Sequence, residues 1–331
     1  MGWAYNTPES AVNNGSHITS VAIVFTAASL LVLSLRFYVR GWMIKTIGAD
    51  DYVLAFSWVA CCGFAVVTIL QTKWGLGLKN VEDMPNENLF NFGLLQYIGA
   101  PFYITSIMTF KISLMLTYLR FMPKGAARTA TIVVIVLCVL FHLAFLIVQI
   151  NLCHPIAMQW DRTIIGTCLP AVPFYTTTSS LTITFDVVVM FLPFPVLLAS
   201  HIQNRKKVVL LGLLALGTFI TIIQVIRIQT IRSLTNYLDS AGVIMWSSVE
   251  NNLGVIVASI PTLAPLFTFF VDKTVKSSER SSRGKALYAL RSTKGSARQG
   301  SMPLGSGVHG TDDRGVGDSD DRGGDCDEDG G

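Results

Sequence analysis

The stretch WSSVENNLGVIVASIPTLAP, residues 246–265, lies within an apolar run from 242 to 270 but carries Glu250, Asn251 and Asn252 in succession. The run is longer than the roughly 20 residues that a helix needs to cross a bilayer. Because a charged or amide side chain facing lipid is costly, such residues normally face the interior of a helix bundle. We therefore expect a membrane-spanning helix whose polar residues are turned towards other helices.

Six more apolar stretches of spanning length precede this one. Of the 331 residues, 51% are hydrophobic and only 14% are charged, and the mean hydropathy is +0.52; this composition is typical of a membrane protein. The seven apolar stretches predict an all-α, seven-transmembrane helix bundle over residues 18–272. We expect this bundle to lie in the plasma membrane or an endomembrane, surrounded by lipid, and we expect no nucleic-acid partner. The predicted spans are about 18–39, 51–71, 89–119, 129–151, 174–199, 208–231 and 242–270.

The basic residues indicate how the bundle is oriented. Lys and Arg are retained on the cytoplasmic side of a membrane, and here they concentrate in the first, third and fifth connections. We therefore predict a short extracytoplasmic N-terminus, residues 1–17, and a cytoplasmic C-terminus. The basic residues of those connections are Arg36, Arg40, Lys45, Arg120, Lys124, Arg128, Arg205, Lys206 and Lys207.

Residues 273–331 differ in composition from the rest of the chain. They are rich in Ser and Gly, basic at first and acidic near the end, and they lack the apolar residues needed to form a core. We predict a disordered cytoplasmic tail. A cytosolic signalling partner at the inner loops and tail is one hypothesis, and a solvated tail with no dedicated partner is the other.

Two further features fit an outward-facing surface. Cys153 and Cys168 both lie in the fourth connection, which the charge pattern places on the oxidising side, where disulfides persist. We predict a bridge between them. The sequon Asn14-Gly15-Ser16 lies on the same side, close to the first span, and makes Asn14 a candidate glycosylation site.

Few ionisable residues fall inside the predicted spans. They are Lys111 in the third, Asp186 in the fifth, Arg227 in the sixth and Glu250 in the seventh. Two cations and two anions favour internal pairing in a low-dielectric interior. At a rise of about 1.5 Å per residue, Lys111 and Asp186 lie at depths that their side chains can bridge.

Asp50 and Asp51 are interpreted in a simpler way. They begin the second span, where acidic residues are favourable at a helix N-terminus. We expect them to face Arg36 or Arg40 across the short first connection.

The inventory of residues argues against several cofactor chemistries. A retinal pigment needs a Lys in the last helix, and residues 242–270 contain none. A haem or metal centre within the membrane needs at least two buried His, and only His142 lies in a span. A prenyl transferase needs an aspartate-rich box for magnesium and diphosphate, which Asp50-Asp51 alone does not supply. We predict no cofactor and no metal site.

Three interpretations of the polar cluster in the last span stay open. Glu250 or Asp186 could act as an acid or base in a cyclisation or isomerisation if held in a dry pocket. Glu250, Asn251 and Asn252 could instead form interhelical hydrogen bonds with no chemistry. They could also contact a ligand in a pocket between the helices. The residues predicted to line that pocket are Gln96, Tyr97, Tyr103, Asp186, Glu250 and Asn251.

Five landmarks stand in order along residues 20–272. They are GADDYVLA (48–55), KISLMLTYLRF (111–121), CHPIAMQW (153–160) with the later Cys168, DVVVMFLPFPVLLA (186–199) and VENNLGVIVASIPTLAPL (249–266). This set resembles the fungal rhodopsin-like seven-helix membrane proteins, a family that includes appressorium-receptor-like proteins and the membrane protein of satratoxin-type gene clusters. Lys111, Arg120, Asp186, Glu250 and Pro261 fall on these landmarks.

The resemblance implies two kinds of function. Some relatives are regarded as receptor-like, which implies a non-catalytic protein that binds a small, apolar molecule in the outer half of the bundle. Others occur in secondary-metabolite clusters, which implies a membrane-embedded component that acts on a pathway intermediate, as a cyclase-like enzyme, or exports the product. Transport has no support from the sequence, which shows no inverted repeat.

Overall fold

The computed structural model describes residues 3–8, 11–80, 83–161, 163–192, 204–232 and 240–263, with the backbone alone for residues 121, 204–216 and 232. These residues form seven long helices and one short hairpin. The helices are α1 Gly15–Tyr38, α2 Ala49–Lys73, α3 Asn86–Phe121, α4 Ala126–Ile150, α5 Ala171–Phe191, α6 Asn204–Arg232 and α7 Ser240–Leu263.

These helices fit the predicted seven-helix bundle. Within the described residues, α1, α2, α3, α4 and α7 are each long and apolar enough to cross a membrane, and α5 and α6 are the two other helices. α1 continues into one π-helical turn, Val39–Met43. The predicted tail, 273–331, and the predicted ends of spans five and seven, 193–199 and 264–270, lie outside the described residues.

The helices begin a few residues earlier than the hydropathy pattern predicts. α3 begins at Asn86, directly after Pro85, and α5 begins at Ala171, directly after Pro170. Proline is tolerated at a helix start, where the backbone N–H would have no intrahelical partner. The first turn of α3 is polar, so a scan for apolar residues alone does not detect it, whereas the first turn of α5 is apolar.

α2 and α3 pack closely because small residues lie at their contact. The Ser57 hydroxyl donates to the carbonyl of Ser106 at 3.0 Å. A Cβ at Gly63 would lie 2.6 Å from the Phe102 ring, so only glycine allows this approach. Small residues and interhelical hydrogen bonds are the usual basis of helix association in membranes.

α7 lies in the bundle interior. Asn252 accepts a hydrogen bond from the Ser29 hydroxyl of α1 at 2.7 Å, and its amide donates to the Ser248 carbonyl at 2.8 Å. On another face, a Cβ at Gly254 would lie 2.5 Å from the Phe110 ring of α3. α7 therefore contacts both α1 and α3 at close range.

A cluster of charges fixes one end of the bundle, which we call the arginine end. The Arg36 guanidinium, fully buried, donates to Asp51 Oδ1 and to Asp50 Oδ2, both at 2.7 Å. Arg40 pairs with the same two carboxylates at 3.1 and 2.9 Å, and Arg120 of α3 reaches Asp50 at 3.1 Å. The expectation that Asp50 and Asp51 face Arg36 or Arg40 agrees with these contacts, since both arginines are engaged.

Hydrogen bonds extend the cluster to four helices. Arg36 also donates to the carbonyl of Ala258 in α7 at 2.6 Å. From α3, Ser113 donates to the Asp50 carbonyl at 2.6 Å, and Thr117 donates to Asp50 Oδ2 at 3.1 Å. The arginine end therefore joins α1, α2, α3 and α7 through charge-assisted bonds, which are the strongest hydrogen bonds in proteins.

A disulfide-closed hairpin lies at the opposite end, which we call the hairpin end. Strands β1, Cys153–His154, and β2, Thr167–Cys168, pair antiparallel, and the predicted Cys153–Cys168 bridge is confirmed. Between the strands, the chain forms a 3₁₀ turn, Ile156–Gln159.

The N-terminal residues pack against the same end. The backbone N–H of Tyr5 donates to the Lys73 carbonyl at 2.8 Å, and Asn88 donates to the Tyr5 carbonyl at 2.7 Å. The Lys73 ammonium lies 3.7 Å from the centroid of the Trp3 ring. Asn14, the candidate glycosylation residue, is exposed directly before α1.

We expect Asp51→Asn to lower the free energy of unfolding by about 3–5 kcal/mol, the usual cost of removing one partner of a buried ion pair. Asp51 is fully buried between two arginines, so the neutral amide leaves both with too little counter-charge. Denaturant titration in mixed micelles measures the loss. Glu87→Gln, at an exposed carboxylate in the first turn of α3, is the matched control and should stay within about 0.5 kcal/mol of wild type. Equal stabilities of the two variants would contradict the structural role of the cluster.

Candidate functional site: a cavity beside a buried charge network

A cavity of about 660 Å³ opens between the helices at the hairpin end. α2 to α7 all contribute to its wall, together with the disulfide hairpin. Its volume falls in the range of sites that bind small molecules. Apolar side chains form much of the lining, among them Phe64, Val67, Phe92, Ile104, Ile107, Phe145, Leu152 and Ile244.

The hairpin covers part of this cavity. Met158, Gln159 and the disulfide contribute to the lining, and the Trp160 ring packs on Tyr97 of α3 with centroids 5.0 Å apart. A Cβ at Gly93 would lie 2.9 Å from the Trp160 Cα, so this glycine permits the hairpin to approach α3. Gln159 donates to the carbonyl of Ile150 at 2.9 Å and fixes the hairpin to the end of α4.

A buried charge network lies deeper in the bundle, beside the cavity. The Lys111 ammonium of α3 is 2.8 Å from Asp186 Oδ1 of α5. The Gln224 amide of α6 donates to Asp186 Oδ2 and to Glu250 Oε1, both at 2.6 Å. A single neutral side chain therefore joins two carboxylates that would otherwise repel each other.

Glu250 is held from three sides. The Tyr103 hydroxyl donates to Oε2 at 3.0 Å, and Arg227 of α6 reaches the same oxygen at 3.1 Å. Arg227 also donates to the hydroxyls of Ser179 and Ser247 at 3.1 and 3.4 Å. Both oxygens of Glu250 are occupied, and the network as a whole is electrically balanced.

The structure brings three of the six residues predicted for the pocket to the cavity wall. Gln96, Tyr97 and Tyr103 line it. Asp186 and Glu250 are not among the lining residues and lie in the network beside it. Asn251 is fully buried, is not a lining residue, and has no hydrogen-bond partner among the described residues.

Several polar residues of this region were not assigned to the site from the sequence, among them Gln224, His142 and Gln149. Gln224 bridges the two carboxylates, and His142 and Gln149 of α4 line the cavity. A signal for Gln224 was present, because it lies three residues before Arg227 and so on the same helix face. His142 and Gln149 are seven residues apart, a spacing that also places two residues on one face.

The arrangement suits the binding of a neutral, largely apolar molecule. Within the described ranges, no group of three or more His, Cys, Asp or Glu side chains is placed to hold a metal ion. The charged groups nearest the cavity are paired with one another. An occupant would therefore meet a largely apolar wall with several polar groups, among them the Arg227 guanidinium, whose charge is balanced by Glu250.

Comparison with known proteins identifies relatives of the chain. A family model described as the fungal rhodopsin domain matches residues 35–269. No solved structure matches the chain.

Three characterised relatives carry names of different kinds. A SAT4 family membrane protein of Emericella nidulans is 26% identical over 214 residues, which are 63% of this chain and 55% of the relative. Receptor GIN3 of Arthrobotrys oligospora is 25% identical over 303 residues, 86% of this chain and 69% of the relative. The polyenoic acids biosynthesis gene cluster protein Ba17b of Metarhizium anisopliae is 21% identical over 261 residues, 73% of this chain and 71% of the relative. The chain thus spans about half the length of the first of these relatives.

We expect Glu250→Gln to destabilise the bundle by about 3–5 kcal/mol, because it leaves Arg227 as a buried cation without a counter-charge. The double variant Glu250→Gln/Arg227→Met should recover part of that loss, since no unpaired charge remains. A double-mutant cycle on the free energy of unfolding measures the coupling between the two side chains. Additive effects of the single changes would contradict the pairing of Arg227 with Glu250.

Proposed function

The chain belongs to the fungal rhodopsin domain family, and from that premise we propose that it is a receptor-type, multi-pass membrane protein. It binds a small, predominantly apolar molecule in the cavity at the hairpin end. Binding at that site alters helix contacts along the bundle as far as the arginine end, where a cytosolic partner recognises the change.

The single observation that carries this proposal is the cavity itself, about 660 Å³ with a largely apolar wall, beside a charge network that is internally paired. An apolar cavity gains free energy by taking up hydrocarbon, at roughly 25 cal/mol for each Å² removed from water. The relative named Receptor GIN3, which aligns with 86% of the chain, supports a receptor-type role.

The position of the network supports communication between the two ends. Tyr103 both lines the cavity and donates to Glu250, and Arg227 lines the cavity and pairs with Glu250. A molecule that displaces either side chain changes the contacts of α7. α7 in turn accepts the Arg36 hydrogen bond at the arginine end.

The second candidate is a membrane-embedded component of a biosynthetic pathway, acting on an intermediate or exporting the product. The relative named as a polyenoic acids biosynthesis gene cluster protein favours it. An acid or base catalyst must reach its substrate. Both oxygens of Asp186 and of Glu250 are engaged by protein groups, and neither residue lines the cavity. This geometry supports a receptor-type role over an enzymatic role.

We also propose that the hairpin end faces away from the cytoplasm. Arg36, Arg40, Lys45 and Arg120 lie at the other end, and Lys and Arg are retained on the cytoplasmic side. The Cys153–Cys168 bridge belongs in an oxidising compartment.

Thiol labelling of sealed microsomes, whose outer face is cytoplasmic, tests this orientation. Lys45→Cys and Glu87→Cys place thiols at exposed positions at the arginine end and at the hairpin end. Lys45→Cys should react with a membrane-impermeant maleimide directly, and Glu87→Cys only after detergent is added, because the membrane separates the second thiol from the reagent. Wild type gives the background from the cysteines outside the disulfide, which are Cys61, Cys62, Cys138 and Cys326. The reverse pattern would contradict the orientation.

The proposed function is tested by filling the cavity. Ala100 of α3 lines it, so Ala100→Phe should occupy space that a ligand needs. We expect hydrophobic metabolites from a fungal extract to raise the unfolding temperature of wild type in nanodiscs, and Ala100→Phe to lose at least tenfold in affinity. Ile98→Phe, on the same helix at a side chain 40% exposed and not on the cavity wall, is the matched control and should bind as wild type does.

Mass spectrometry of the bound molecule separates the two candidate functions. Recovery of the molecule unchanged after long incubation supports the receptor-type role. A change in its mass that depends on Glu250 would contradict that role and support the enzyme. Equal binding by wild type and Ala100→Phe would show that the cavity is not the site.

A further inference from the structure

Most polar side chains on the cavity wall already have partners within the protein. Gln96 accepts from Gln71 at 2.8 Å, and Gln159 donates to the Ile150 carbonyl. Two atoms of α4 are different: His142 Nε2 and Gln149 Oε1 are buried and have no hydrogen-bond partner among the described residues. Their residues are only 1% and 4% exposed, and both line the cavity.

The chemical character of the His142 atom follows from its other nitrogen. Nδ1 lies 2.7 Å from the carbonyl oxygen of Cys138. Because a carbonyl oxygen can only accept, Nδ1 must carry the hydrogen. In a neutral ring, the form that an apolar site at this depth favours, Nε2 is then an acceptor. Gln149 Oε1, an amide carbonyl, is an acceptor as well.

The two acceptors lie on one face of one helix. They are seven residues apart, which is two turns, so their Cα atoms are separated by roughly 10 Å along the helix axis. Two more unpartnered atoms on the wall, Arg227 Nε and Ser240 Oγ, can both donate. Only the two α4 atoms therefore require a donor from the occupant.

A buried acceptor without a donor costs free energy, so an occupant that supplies two donors is favoured over one that supplies none. An ether or a ketone has only acceptors. A carboxylate would bring a negative charge against two lone pairs, and the positive charges of Lys111 and Arg227 are already balanced by Asp186 and Glu250. The one free donor of Arg227, its Nε–H, can be satisfied equally by the oxygen of a hydroxyl group.

We propose that the cavity selects a neutral, elongated hydrocarbon with two hydroxyl groups, one donating to His142 Nε2 and the other to Gln149 Oε1. This proposal rests on the proposed function, because it assigns the polar chemistry of the molecule that the cavity binds.

Three probes that differ only at their ends test the selectivity. They are a decane-length diol with one hydroxyl at each end, its dimethyl ether and the corresponding dicarboxylic acid. Binding to the full chain in nanodiscs is measured by calorimetry and by the shift in unfolding temperature. The diol should bind about tenfold more tightly than the diether, since each of the two satisfied acceptors contributes a factor of about two to ten. The diacid should bind more weakly than either.

Variants of the two acceptors assign the preference to named atoms. His142→Phe and Gln149→Met each keep an apolar side chain of similar size and remove one acceptor. Each should reduce the preference for diol over diether severalfold, because one of the two acceptors that favour the diol is gone. Gln149→Met alone carries the test if His142→Phe fails to fold. Gln96→Met is the matched control, because its carbonyl already has a partner, and it should keep the preference for the diol.

The outcomes separate this inference from the function on which it rests. If diether and diol bind equally, or if the preference persists in Gln149→Met, the hydroxyl assignment is wrong while the cavity remains a binding site. If no probe binds, uptake of hydrocarbon by the cavity is wrong, and the proposed function fails together with the inference.

Discussion

A charge in the bundle interior is tolerated only beside a charge of opposite sign, and this constraint determines which helices touch. Isolated ions are too costly to bury in a medium of low dielectric constant. Within the described ranges, the buried ions form two groups. One joins α1, α2 and α3 through Arg36, Asp50 and Asp51. The other joins α3, α5, α6 and α7 through Lys111 and Glu250. α3 takes part in both groups, and so does α7, because Arg36 donates to its Ala258 carbonyl and Glu250 belongs to the second group.

The same constraint shapes the site. Because the charges satisfy one another, none remains to attract an ion into the cavity, and its walls are left mostly apolar. Tyr103 shows how the two regions are coupled, since its ring lies on the cavity wall and its hydroxyl holds Glu250. A cavity without free charge is suited to recognition by shape and by a few hydrogen bonds. In our proposal, the few unpartnered polar atoms on its wall provide most of the specificity.

How far the sequence predicts this structure depends on whether a feature is local. Helix rise is fixed, so the depths of Lys111 and Asp186 could be compared before their contact was known, and the disulfide followed from the sidedness of two cysteines. Rotation of one helix relative to another is not local. It decides that Gln224 reaches both carboxylates, and that His142 faces the cavity while Glu250 does not. These contacts depend on the packing of all seven helices at once, which no single pattern encodes.

The cluster Glu250, Asn251 and Asn252 illustrates the limit most directly. Adjacent residues on a helix point about 100° apart, so three in succession cannot serve one site. Glu250 turns to α3 and α6, and Asn252 turns to α1, where Ser29 donates to it. Asn251, between them, is buried without a partner among the described residues. The functional unit of a membrane helix is therefore a set of residues spaced three, four or seven apart. His142 and Gln149 are such a set, and their spacing of seven residues is the sign of it in the linear sequence.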